Sequence, residues 1–141
     1  MNSRNLETPL NRISRGKARL VDDDRGGLGI IDTVDVVPFA PVRMFWIADV
    51  ARGMVRGGHA HKLCSQFLVC FQGRIKVDAF DGTLAQQFVL ERGDFLNLVP
   101  GIFATETFLD DGSVLLVLCD RPYEAEDYIV DRTSLIPGSG Q

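Results

Sequence analysis

Arg74-Ile75-Lys76-Val77-Asp78-Ala79-Phe80 swaps polar and apolar residues at every step. Successive side chains of an extended strand point to opposite faces, so Ile75, Val77 and Ala79 share one face and the charged residues the other. This is the pattern of a strand with one side on a core. Asp81-Gly82 follows as a tight-turn signal, and residues 84–90 return. Upstream, residues 65–71 are nearly continuous apolar, as in a strand buried on both faces. Downstream, Arg92-Gly93-Asp94, Pro100-Gly101 and Asp110-Asp111-Gly112 separate three more strand-like runs, 95–99, 102–109 and 113–119. Nearer the start, Met44-Phe45-Trp46-Ile47 is a strand nucleus. Residues 28–37 are rich in β-branched side chains and read as strand until Pro38 and Pro41 break it. Only residues 123–128 read as a short helix. Short strands at spacings of roughly 8–12 residues with turn signals between them predict an all-β sandwich or barrel.

Composition sets the limits. A chain of 141 residues suits a single domain that can bury a core without disulfides. Apolar runs of about five residues fall far short of the ~20 that span a bilayer, so no membrane contact is expected. No charged-then-apolar region opens the chain, and a cytoplasmic location is expected. The net charge of −4 gives no basic face for nucleic acid. The three cysteines, Cys64, Cys70 and Cys119, lie in apolar surroundings and read as buried, reduced thiols. Three residues from His61 on a strand, Cys64 is expected to face away from it. The first 17 residues, with Arg4, Arg12, Arg15 and Lys17, read as a flexible basic arm. Residues 18–135 form the predicted domain, and 136–141 a disordered tail.

The chemistry concentrates in Arg56-Gly57-Gly58-His59-Ala60-His61. The chain has only two histidines, and a spacing of two puts both on one strand face. Two imidazoles at a barrel mouth suit acid/base work or a metal. Gly53, His59, His61, Gln66 and Gly73 fall in the register of the first cupin motif, which this segment resembles. Gln66 stands where that motif carries an acid, and residues 100–106, the region of the second motif, hold no histidine. Two neutral imidazoles and an amide make a poor site for a divalent ion, so neither a metal nor another cofactor is expected.

A closer resemblance covers about residues 19–129. The stretches Asp24-Arg25-Gly26-Gly27-Leu28, Arg56 to His61 with Lys62, Gln66-Phe67-Leu68-Val69-Cys70, Asp81-Gly82 and Tyr123-Glu124-Ala125-Glu126-Asp127-Tyr128-Ile129 resemble the sugar 3,4-ketoisomerases, the WxcM-like cupins. The resemblance implies an RmlC-like cupin jelly roll and a homodimer. It also implies a dTDP-4-keto-6-deoxyhexose substrate, in deoxysugar and polysaccharide biosynthesis. Such an isomerase moves a proton between neighbouring carbons through an enediol, which needs a base near neutral pKa, and histidine supplies ~6.5. By resemblance, His59 is the base and His61 its relay. Arg56 would pair with anionic oxygens, and Gln66, Lys62 and Glu106 would help hold the substrate. Phe45 and Trp46 would form an apolar wall.

Each of these residues also has a plain structural reading. The histidines could be satisfied core residues, Arg56 a surface ion-pair residue, Gln66 a strand-capping amide, and Phe45 and Trp46 core. Two departures stand out. Phe45-Trp46 occupies a strand where the family tends to carry tyrosine. Ala104-Thr105-Glu106 replaces a Trp-His-Glu or Trp-Arg-Glu stretch. The alternatives are a non-catalytic sugar-binding cupin and an epimerase-like enzyme. The second needs a tyrosine acid and a His-Asp pair, which the linear sequence does not display.

Overall fold

The computed structural model describes residues 6–7 and 13–138. Thirteen strands follow in order: β1 (Leu6–Glu7), β2 (Ile13–Lys17), β3 (Arg19–Asp23), β4 (Gly26–Ile30), β5 (Arg43–Ile47), β6 (Val55–His61), β7 (Gln66–Gln72), β8 (Arg74–Phe80), β9 (Ala85–Glu91), β10 (Asp94–Leu98), β11 (Phe103–Phe108), β12 (Val114–Cys119) and β13 (Tyr128–Ile129). A one-turn helix, α1 (Thr33–Val36), precedes β5, and 3-10 turns cover Ala125–Asp127 and Arg132–Leu135. No helix among the described residues is long and apolar enough to cross a membrane.

The strands build a six-stranded sheet, β1-β2-β10-β7-β12-β5, and a five-stranded sheet, β13-β6-β11-β8-β9. A hairpin, β3-β4, stands apart from both. Pairing is antiparallel throughout. This is the all-β architecture expected from the strand spacing, and the jelly roll implied by the resemblance.

The inner faces of the two sheets make one core. Ile75, Val77 and Ala79 of β8 meet Leu68 and Cys70 of β7 and Leu115 and Val117 of β12 there. The alternating septet thus lies as read, with Ile75, Val77 and Ala79 buried and Arg74, Lys76 and Asp78 outward. β7 is buried on both faces for a visible reason. Its other face carries Phe67 and Val69 into a second cluster with Phe95, roofed by Val36, Val37 and Phe39. The Asp81-Gly82 turn closes the β8-β9 hairpin, with Asp81 N–H donating to Leu84 O at 3.2 Å.

Two expectations need correction. The basic arm does not extend to residue 17. β2 pairs along its whole length with β10, and Ile13 is buried in the main core. Lys17 Nζ reaches Asp94 at 3.0 Å. This strand inserts one apolar residue, so its composition looked like a tail. Residues 1–5 and 8–12 of the predicted arm, and 139–141 of the predicted tail, lie outside the described residues. The second correction concerns residues 28–37. Strand ends at Ile30, and Thr33–Val36 coil into α1 instead. Val36 packs over the Phe67 and Val69 cluster, and that contact overrides the β propensity of the segment. The helix-like reading of 123–128 corresponds to the 3-10 turn at Ala125–Asp127.

Candidate active site

His59 and His61 lie on β6 and face the barrel interior, where they line a cavity of about 200 Å³. Arg56 lines the same cavity. Strict alternation would forbid this, because residues three apart on a strand point to opposite faces. A β-bulge resolves it. β11 pairs Glu106 with Arg56, Thr105 with Gly57 and Ala104 with His59, so Gly58 is the extra residue without a partner. Gly57 and Gly58 both sit at φ +87°, a region that side-chain-bearing residues rarely adopt. Gly57 has a second reason to be glycine. A Cβ there would lie 2.7 Å from Glu106 Oε1 and 2.9 Å from Ala104 O.

The far end of β6 is closed by the chain's last strand. β13 pairs Tyr128 with His61, and the 3-10 turn before it delivers Asp127. Asp127 Oδ2 lies 2.8 Å from His61 Nδ1. Asp127 also accepts from Leu63 N–H at 2.6 Å and Cys64 N–H at 3.3 Å. Burial works to raise its pKa, but the bonds from His61, Leu63 and Cys64 prevail and hold it below the usual value. The carboxyl is therefore ionised at neutral pH and bears no proton, so His61 Nδ1 donates. Its Nε2 is buried and, among the described residues, without a hydrogen-bond partner.

His59 stacks edge-on against His61 with ring centroids 5.0 Å apart. Tyr128 lies 4.6 Å from each ring. Burial lowers the His59 pKa, and the neighbouring His61 lowers it further. A bond to the Gly57 backbone pulls the other way. The net result is a neutral imidazole at pH 7, half-buried and open to the cavity. Across β11, burial pushes Glu106 up to about 8, against the opposing pull of Arg56. Its carboxyl is thus mostly protonated at neutral pH.

Of the residues singled out from sequence, Phe45, Arg56, His59, His61, Gln66 and Glu106 line the cavity. Trp46 and Lys62 do not. Trp46 is 64% exposed on the outer face of β5, as alternation with Phe45 requires. Lys62 lies just past the end of β6 with an exposed side chain, and its backbone N–H donates to Asp127 O at 2.8 Å. Cys64 also needs correction. The strand ends at His61, so alternation stops there, and the bend at Lys62 and Leu63 returns Cys64 to the His61 side. Burial, with Cys119 and Asp120 nearby, pushes its thiol up to about 12, so it is no nucleophile. All three cysteines are free and buried, as the composition suggested.

Sequence reading missed Asp127 and Tyr128 as site residues. Their signal was present in the Tyr123-to-Ile129 stretch, but nothing linear ties it to His61, 66 residues away. The pair also supplies the His-Asp contact that the sequence alone did not display. His61, Cys64 and Asp127 place their ligand atoms within 4.8 Å of one another. A cation there would have to displace the three hydrogen bonds that Asp127 already accepts. The donor set fits a hydrogen-bonded dyad better than a metal centre.

The family model described as FdtA, WxcM-like, C-terminal, matches residues 12–137. The chain belongs to this family. The TDP-4-oxo-6-deoxy-alpha-D-glucose-3,4-oxoisomerase of Aneurinibacillus thermoaerophilus is 32% identical over 108 residues, 76% of this chain and 78% of that protein. QdtA, a sugar 3,4-ketoisomerase from Thermoanaerobacterium thermosaccharolyticum solved with TDP, superposes with a TM-score of 0.81. It is 28% identical, over 90% of this chain and 93% of that one. WlaRB, a TDP-quinovose 3,4-ketoisomerase from Campylobacter jejuni, gives 0.79 at 27% identity, over 88% and 96%. Within the WxcM-like family the chain is thus an isomerase homologue on a cupin barrel. Its Arg56-to-His61 bulge and the Asp127-Tyr128 return form the walls of the cavity.

Proposed function

We propose that this cavity isomerises a dTDP-4-keto-6-deoxyhexose to its 3-keto form, with His59 moving the proton between C3 and C4. One observation carries the proposal. His59 is neutral and open to the cavity, and it is backed by the buried His61-Asp127 pair. His61 Nε2 is buried, whereas His59 is only half-buried, so the proposal gives the proton transfer to His59. His61 then supports His59 from behind, its ring oriented by Asp127. Among the described residues Arg56 has no carboxylate to neutralise it while Glu106 is protonated, so its guanidinium is available to anionic oxygens of the substrate. Gln66 offers an amide to the sugar hydroxyls, and Phe45 an apolar wall. About 200 Å³ is small beside the roughly 300–1,000 Å³ of sites that engulf whole ligands. The cavity therefore takes the sugar ring and leaves the nucleotide at its rim. In this reading the protein works in deoxysugar biosynthesis in the cytoplasm, where its thiols stay reduced.

The same proposal includes a homodimer. Its support is the exposed apolar set Leu28, Met44, Trp46 and Phe71, unusual as unpartnered surface. Light scattering should give a mass near 31 kDa, about twice the 15.6 kDa chain. A monomer at micromolar concentration would remove this part.

The activity itself is read by NMR in D₂O with dTDP-4-keto-6-deoxyglucose. A 3-keto sugar carrying deuterium at C4 is the expected product. His59→Asn should lower kcat about a thousandfold or more while the fold stays intact. Normal turnover by that variant would remove His59 as the base. The His61-Asp127 pair beside Tyr128 also favours a second reading, an epimerase. It would show deuterium at C3 or C5 with the ketone still at C4.

A further inference from the structure

We propose that Glu106 is a catalytic residue that moves the hydroxyl proton of the isomerisation, giving a proton to O4 of the sugar and taking one from O3. The proposal rests on the ketoisomerase reading above and adds a group that reading leaves open. Shifting a ketone to the next carbon relocates two protons. One passes between carbons and one between oxygens. An imidazole that holds the first is not free for the second. A carboxylic acid carries an O–H donor and a C=O acceptor side by side, which matches two neighbouring sugar oxygens.

The geometry assigns this work to Glu106. It lies on β11 two residues from Ala104, the partner of His59, and so faces the same cavity wall. Gly57 leaves open the space into which its carboxyl is set, since a Cβ there would collide with Oε1. Among the described residues the carboxyl has no hydrogen-bond or ion-pair partner, and only the charge of Arg56 acts on it from nearby. Two other proton carriers at the cavity are less suited. His61 is bound to Asp127 with its second nitrogen sealed. The Cys64 thiol holds its proton to about 12. Burial keeps Glu106 protonated up to about 8, so it begins the cycle as an acid.

The steps balance. The C3–H bond breaks and its proton passes to His59. The released pair forms C3=C4, and the C4–O4 π pair moves to O4, which takes the Glu106 proton. The sugar is then a neutral enediol, His59 an imidazolium and Glu106 a carboxylate. Glu106 next removes the O3 proton, the O3–H pair forms the C3=O3 bond, and the C3=C4 pair takes the imidazolium proton at C4. Both residues return to their starting forms, and no oxidant or reductant is consumed.

The test is a pH profile of kcat for the wild type, Glu106→Gln and Glu106→Asp on dTDP-4-keto-6-deoxyglucose. The wild type should lose activity as pH rises through about 8, where the carboxyl loses its proton. Glu106→Gln keeps the shape but cannot exchange a proton. Its kcat should fall about 100-fold or more, with KM changed less than about threefold, and its alkaline fall should vanish. Glu106→Asp keeps a carboxyl and should recover at least about tenfold over Glu106→Gln. A Gln variant within about threefold of wild-type kcat overturns the proposal. So does a wild-type alkaline fall that persists in Glu106→Gln, since a merely structural carboxyl would leave it in place. A wild type that neither isomerises the sugar nor exchanges its C3 proton overturns the ketoisomerase reading as well, which tells the two failures apart.

Discussion

β6 and β8 flank the same strand, β11, and could hardly differ more. β8 pairs with β11 over six successive residues without a break, from Phe103↔Phe80 to Phe108↔Ile75. Its side chains alternate regularly between core and surface. β6 pairs through a bulge, carries two glycines at positive φ, and brings Arg56, His59 and His61 onto one wall. The regular neighbour holds the barrel together. The irregular one breaks the period of the sheet so that three side chains converge on one cavity. Local rules fail on β6 for a reason, as is common where a strand meets a functional site.

The contrast can be broken from either side. The largest effect is expected on β6, where His59→Asn should cost about three orders of magnitude in kcat and leave the melting temperature within a few degrees. On β8 the balance should invert. Ile75 is fully buried, so Ile75→Ala should cost about 2–5 kcal/mol of stability, read as a Tm drop of roughly 10 °C. Its kcat at 20 °C should stay within about threefold, because the cavity walls are untouched. A kcat loss for Ile75→Ala as large as that for His59→Asn would erase the distinction between the strands.

A smaller effect on both readouts tests the bulge. Gly57→Ala forces a side chain into the left-handed region, at about 1–2 kcal/mol. It also presses a methyl against the Glu106 carboxyl. Activity should fall about 10- to 100-fold, and the alkaline limb near pH 8 should move. A silent substitution would mean that the bulge has room to spare.

The pH dependence sharpens the comparison further. His59 is lowered from 6.5, so its neutral imidazole persists below that pH, and on the proposed mechanism the acid limb of activity should lie under 6.5. Glu106 is raised from 4.5 to about 8, so it favours the folded state while protonated. That contribution is whole below 4.5 and disappears as pH rises through about 8. Glu106→Gln should accordingly raise the Tm at pH 9 by a few degrees relative to wild type, and change it little at pH 5. Both limbs originate in residues that face the β6-β11 wall.

The same contrast explains what the sequence made legible. The septet on β8 could be read because the period of two is set locally by the pleat. The doubly buried β7 was equally plain from its apolar run. The two histidines could be placed on one face by the same count. Arg56 could be placed beside them only by resemblance, since the count of three puts it on the wrong side until Gly58 is known to be extra. Asp127 needed the fold, because the last strand must return to β6 before His61 gains a partner. Trp46 was misplaced by treating two adjacent residues as one wall, which a strand cannot supply. β2 was hidden because a short strand with one inward apolar residue has little pattern to show.

The odd count on β6 bears on how this chain can diverge. A sheet ladder counts in twos, and a shift of one exchanges its faces. Loss of a single glycine codon at 57 or 58 would restore even pairing with β11, turning Arg56 to solvent while His59 and His61 stayed inside. No point substitution achieves that separation. In this segment the length of the gene, as much as its letters, encodes which chemistry the barrel can hold.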